Sequence, residues 1–263
     1  MKGTSRNKSP ESYRERTYRA LERSGLVSTY VRMVETDLHI LAPVAVENEA
    51  LRLVAEVRRQ IEGYIRANPL FLDSLVPLPL DPAAPQAVQE MLAAARIAGV
   101  GPMAAVAGTI AEAVGRGLQR AGIEDLLVEN GGDIYIARKQ ACTVAVFAGA
   151  SPLSNRVGIR LEADSQPGGV CCSSGTVGHS LSFGHADAVV VVAPSTALAD
   201  AAATRIGNEV GRPPASLDDA LKVARSIQGL SGVLVVRGEQ LGAWGSIELV
   251  RLALAFRPDR ATV

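Results

Sequence analysis

The chain has 263 residues, 48% hydrophobic but only 4% aromatic, so its length supports a large core built from aliphatic side chains and alanine. Its 27 basic side chains match its 27 acidic ones, which leaves no field to hold nucleic acid or an anionic membrane. Three cysteines, two of them adjacent at 171 and 172, make no disulfide framework, and no signal-like segment or run of ~18 apolar residues is present, so a cytoplasmic protein is expected.

Residues 1–12 read as a disordered tail and 13–263 as a single α/β domain. Tyr13–Arg19 and Val27–Ile40 have the alternation of an antiparallel pair. A helix over Val46–Ala67 follows from Leu51, Val54, Val57, Ile61 and Ile65, which recur at three- and four-residue intervals. Asn68-Pro69 ends it. Residues 69–85 hold five of the fourteen prolines and predict an irregular crossing before an alanine-rich helix over 86–98. Residues 99–108 lead into a further helix reaching Arg120. Strands are expected at 125–129, 133–138, 142–148 and 156–162, and the apolar run Asp187–Ala193 reads as a strand covered on both faces. A helix at 195–210, a short one opened by a capping box from Ser216 to Asp219, and strands at 231–237 and 244–253 complete the chain. Helix–strand alternation with hairpin-like pairs predicts α/β architecture, with antiparallel and mixed strands packed by alanine-rich helices.

Asp200 and Thr204 stand one helical turn apart just after a buried strand, which suits a hard cation such as Mg²⁺ completed by phosphate oxygens. The same pair also suits a plain helix start, since an acid near the N-terminus is favoured by about 0.3–1 kcal/mol without metal. Gly101 and Gly108 flank a helix start where free N–H groups favour a phosphate, although small residues there equally suit close helix packing. Gly131-Gly132-Asp133 allows close backbone approach to a nucleotide, and it is also standard hairpin chemistry. Among the three histidines, His179 is the first choice for general acid/base work and His185 the second, against the commoner role of a hydrogen-bonded structural histidine; His39 sits in a strand far from any motif. Cys171 and Cys172 could handle sulfur or be small buried thiols. Ala105–Gly115 and Ala201–Gly211 also share Ala, Ala, Ile, Val and Gly in register, which raises a pseudo-two-fold pair of helix starts facing one ligand.

The order of these pieces is informative. Gly108–Glu112 at a helix start, Leu127–Ile134 with its Gly-Gly-Asp turn, Ser174-Gly175, and Ala199-Asp200 with Thr204 resemble the ApbE-type flavin transferase superfamily over roughly residues 100–210. That resemblance implies FMN transfer from FAD to a protein threonine with Mg²⁺. Asp200 and Thr204 would hold the metal, while Gly101, Gly108, Gly131, Gly132, Asp133, Ser174 and Gly175 would line the FAD or FMN site. His179 would manage the acceptor proton. Two departures mark a divergent branch: Ala107 stands where transferases usually carry a charged residue, and the interval from Thr176 to His185 lacks their His-Ile-x-Asp-Pro stretch. A small-molecule nucleotide and a protein acceptor are the partners implied. The rival functions are a non-catalytic flavin-binding or partner protein and a thiol-dependent sulfur-handling protein.

Overall fold

The structure is a computed structural model that describes residues 25–163, 166, 168–175, 184–211 and 216–252. It opens with β1 (Val27–Met33) and β2 (Thr36–Ala42), antiparallel with Val31 opposite Leu38. The stretch expected as one partner of a pair is therefore the pair itself, folded at Val34, whose φ of 54° makes the turn. Its expected partner at 13–19, and the tail at 1–12, lie outside the described residues.

Helix α1 (Glu47–Ala67) buries Leu53, Val54, Val57 and Ile61, as its apolar stripe requires, while Leu51 and Ile65 flank the stripe half-buried. The proline-rich crossing holds only the short α2 (Leu70–Asp73), then α3 (Gln86–Ala98) ends on Gly99 in the left-handed conformation, φ 75°. A 3₁₀ turn (Pro102–Ala105) feeds α4 (Val106–Arg120). Among the described residues no single helix is long and apolar enough to cross a membrane.

Next come β3 (Leu126–Asn130), β4 (Asp133–Ala137), β5 (Cys142–Ala145), β6 (Val157–Leu161), β7 (Gly168–Ser173) and β8 (Ala188–Ala193). Helices α5 (Thr196–Asn208) and α6 (Asp218–Ser226) precede β9 (Gly232–Arg237), β10 (Gln240–Gly245) and β11 (Glu248–Arg251). Eight strands form one sheet in the order β1-β2-β3-β4-β7-β8-β9-β10, and β11-β6-β5 form a second. The α/β class and alanine-rich helices are as the sequence indicated, and every pairing among the described residues is antiparallel. Hairpins account for several of these pairings; β8 and β9 are antiparallel because two successive helices bring the chain back to the same end of the sheet.

The helices cover one face of the large sheet and the small sheet packs on part of the other, where Ile136, Val170, Val190 and Leu234 meet Ile159 and Val146. Strand β8 is buried along its whole length, as a strand covered on both faces must be. Two strands were not visible in the sequence. Gly168-Gly169 and the small residues after them conceal β7, and the segment expected at 244–253 divides into the end of β10 and β11 because Gly245 turns at φ 92°. The expected capping box is also corrected. The Ser216 hydroxyl accepts from the Asp218 N–H at 3.0 Å, Leu217 is the N-cap, and Asp219 pairs with Lys222 instead.

Glycines permit the closest contacts between layers. A Cβ on Gly115 would lie 2.1 Å from the Tyr135 ring, and one on Gly108 would lie 2.5 Å from the Thr196 carbonyl oxygen and 2.9 Å from Asp200 Cβ. The second contact is the stricter, because a backbone oxygen cannot rotate away. Gly108→Ala is expected to cost about 1–3 kcal/mol through overpacking, read as a lowered urea midpoint. An unchanged midpoint would show that α4 and α5 separate freely.

Candidate functional site

Helices α4 and α5 meet start against start, and each closes the other's open end with a carboxylate. Glu112 of α4 accepts from Thr196 N–H at 2.8 Å and Ala197 N–H at 3.3 Å, which are first-turn donors of α5. Asp200 of α5 accepts from the Gly108 N–H in the first turn of α4 at 2.8 Å. Such N–H groups have no partner within their own helix, and the macrodipole makes a carboxylate favourable there. Ser195 completes the cap of α5 by accepting from Leu198 N–H at 3.3 Å.

Burial of Glu112 raises its pKa, an effect opposed by Arg116 at 2.5 Å and by the two N–H donors. Sequence reasoning gave this residue no role of its own, although a signal existed. Gly108, Glu112 and Gly115 fall on one helical stripe, so a carboxylate sits among small residues on a packing face. Glu112→Ala strands two buried N–H groups and should cost about 1–3 kcal/mol, with Glu112→Gln recovering part of it; urea titrations of both variants check the order.

Asp133 opens β4 directly after the Gly131-Gly132 turn, with φ of 71° and 107° at the two glycines. Positive φ at both central residues is the two-residue hairpin geometry, so the turn is fully explained by Asn130 facing Asp133. Asn130 ties this hairpin to α4 by donating to the Ala107 carbonyl at 3.1 Å, and Glu129 Oε1 accepts from the Gly132 N–H at 2.8 Å. Asp133 is almost completely buried and faces the Cys171 thiol across the β4–β7 ladder. Burial, then the nearby charge of Asp200, then that of Glu129, hold its pKa far above the usual carboxylate range. Asp200, half-buried at the surface, is pushed up to about 7 by desolvation even though the Gly108 and Ala107 N–H groups pull the other way. Neither acid is ion-paired to a basic side chain among the described residues. Thr204 lies one turn beyond Asp200, half-buried.

Four of the glycines chosen from the sequence meet other protein groups here. Gly101 lies where a Cβ would overlap the Ser74 carbonyl, Gly108 and Gly132 give their N–H groups to Asp200 and Glu129, and Gly175 N–H goes to the Ala186 carbonyl at 3.0 Å. Ser174 is half-buried at the end of β7, while His179 lies outside the described residues. His185 anchors its backbone N–H on the Val210 carbonyl, and His39 stacks on Tyr30 with 4.5 Å between ring centroids. The expected pseudo-two-fold does not hold. Ala105 is the N-cap of α4 whereas Ala201 is the sixth residue of α5, and a 3₁₀ turn rather than a strand precedes α4. Adjacent strand residues point to opposite faces, so Cys171 enters the helix-side core while Cys172 packs toward the small sheet. Burial raises both thiols, Cys172 to about 12. Among the described residues no group of three or more His, Cys, Asp or Glu is placed to hold a metal ion.

A family model described as "AbpE bacteria" matches residues 19–233. The chain belongs to this family. The ApbE-like character read from residues 100–210 is thus a property of most of the sequence. Relatives include a UPF0280 protein of Methanococcus aeolicus, 44% identical over 203 residues that cover 76% of this chain and 82% of the relative. Another, from Methanosarcina acetivorans, is 39% identical over 228 residues, covering 86% and 90%. The solved structure of flavin transferase ApbE from Vibrio cholerae is similar at 16% identity with a TM-score of 0.49, covering 84% of this chain and 97% of that one.

The acid pair gives a pH signature with a definite sign. Both folded pKa values lie above the unfolded value of about 3.9, and with Asp200 at about 7 the folded state holds the extra proton of that residue between about pH 4 and 7. The contribution of Asp200 to stability is therefore greatest below that window and is lost as pH rises through it. Asp200→Asn, which keeps an acceptor for Gly108, should gain stability relative to the parent protein between pH 4.5 and 7.5. Equal pH dependence in the two proteins, by thermal melts, would show that Asp200 does not titrate in this range.

Proposed function

We propose that this family member holds a flavin dinucleotide or related pyrophosphate nucleotide together with Mg²⁺ at the Asp133–Asp200 cluster, in a cytoplasmic setting. The observation that carries the reading is the convergence of two acids from different elements, Asp133 buried opposite Cys171 and Asp200 half-buried one helical turn from the Thr196 carbonyl that the Cys171 thiol reaches, with no basic partner among the described residues. A cation relieves that excess charge.

The donors fit the ion. Mg²⁺ takes hard oxygens and is usually held by one or two carboxylates with ligand phosphates and water, so a pair of aspartates assisted by the Thr204 hydroxyl suits it without a third acid. Bound there, Mg²⁺ neutralises pyrophosphate charge and polarises phosphorus. The chain's own contribution is orientation: the bond from Gly108 N–H fixes one Asp200 oxygen, and the Gly131-Gly132 turn fixes Asp133 at the end of β4. Under this reading the glycines at 101, 108, 131, 132 and 175 shape the wall around the ligand, Ser174 lines it, and His179 carries the acceptor proton.

One observation favours a second reading, binding without transfer. The N–H groups of Gly108, Gly132 and Gly175 are all spent on protein acceptors, so they do not cradle a phosphate. The thiol-dependent alternative has less behind it, because the two cysteines point away from each other and their thiols are held protonated.

Calorimetric titration with FAD, FMN and ADP, with and without Mg²⁺, tests the main reading. Saturable binding strengthened by Mg²⁺, more at pH 8 than at pH 6 because the cation displaces the proton of the acid pair, is the expected result. Asp200→Asn should remove the Mg²⁺ effect. No binding to any of the three would overturn the reading. Release of AMP from FAD distinguishes transferase or pyrophosphatase chemistry from binding alone, and His179→Ala should lower its rate about 10²–10⁴-fold.

A further inference from the structure

A hydroxyl outside every role assigned so far lies along the same face. Ser173, the last residue of β7, is 6% exposed, and its Oγ is buried with no hydrogen-bond partner among the described residues. Native proteins rarely leave such a group unsatisfied, because an unpaired buried hydroxyl forfeits its bonds to water.

Its position follows from how β7 runs along α5. At one end, a Cβ on Gly169 would lie 2.5 Å from Thr196 Cα, and the Cys171 thiol reaches the Thr196 carbonyl at 3.3 Å. At the other end, a Cβ on Gly175 would lie 2.1 Å from the Gly184 carbonyl oxygen, and one on Gly184 would lie 1.8 Å from the Gly207 carbonyl oxygen. Strand and helix therefore advance in the same direction. Two strand residues rise about 6.6 Å and four helical residues about 6 Å, so a step from Cys171 to Ser173 corresponds to one turn of α5. Cys171 is level with the first turn, between Thr196 and Asp200, whose charge it feels. Ser173 shares the face of Cys171 by strand alternation and is level with the next turn, from Asp200 to Thr204.

We infer that Ser173 is a ligand-binding residue of the Asp133–Asp200 site, donating its hydroxyl proton to a phosphoryl oxygen of the bound pyrophosphate. This rests on the functional reading above. The hydroxyl has no partner among the described residues and gains one on binding. It also supplies a neutral donor where the glycine N–H groups are already spent, which suits a site whose two aspartates repel phosphate.

Ser173→Ala decides it, with ADP and inorganic pyrophosphate as probes at saturating Mg²⁺. The free variant should melt at the same temperature as the parent or above it, because an unsatisfied group has been removed. Its affinity for both probes should fall about three- to tenfold, the range of one neutral hydrogen bond. Parent protein that binds the probes, with a variant that binds them equally well, overturns the role of Ser173 and leaves the site standing. A lower melting temperature in the free variant also overturns it, since the hydroxyl then serves the fold. Parent protein that binds neither probe with Mg²⁺ overturns the site and the role of Ser173 together.

Discussion

The exchange of carboxylates between α4 and α5 is the constraint on which the rest of the site depends. A helix start directed into a protein interior needs acceptors for its first N–H groups, and here each helix supplies them to the other through Glu112 and Asp200. Close approach is a condition of that exchange, which is why Gly108 faces Thr196 and Gly169 faces it from the sheet. Because Asp200 is held this way, it remains beside Asp133 although the two acids repel. The energy that keeps an unfavourable pair of charges together comes from helix capping and packing around them.

This arrangement alters what glycine-bearing helix starts mean in the chain. Free N–H groups at such a start form an anion site, and a carboxylate from the same protein fills it as well as a phosphate does. The starts of α4 and α5 are both filled internally, so on the proposed reading the charge of a bound pyrophosphate would be met by a cation or by neutral hydroxyl donors. In that proposal the acid pair with Thr204 would hold the cation, and Ser173 at the end of β7 would supply the hydroxyl.

Much of this was legible from pattern alone. The apolar stripe of α1, the two-sided burial of β8 and the placement of Asp200 one turn before Thr204 follow from periodicity, because each depends on local spacing. What escaped depends on tertiary partners. Strand β7 is written in glycine, cysteine and serine, whose propensities say little, and only its neighbours β4 and β8 make it a strand. Glu112 reads as an ordinary helical acid until the start of α5 is set against it. Val27–Ile40 looks continuous because Val34, a residue that normally favours strands, occupies the turn.

The contact between Gly175 and Gly184 bears on how this protein can diverge from its relatives. Backbone meets backbone there with no side chain between, so the chain departs from the sheet and rejoins it at nearly one point. A side chain on either glycine would meet backbone that cannot turn aside, so neither position is open to replacement. Gly184 in turn lies against the Gly207 carbonyl, so the same lock ties the far end of α5 to β7 and sets the height at which Asp200 stands against that strand.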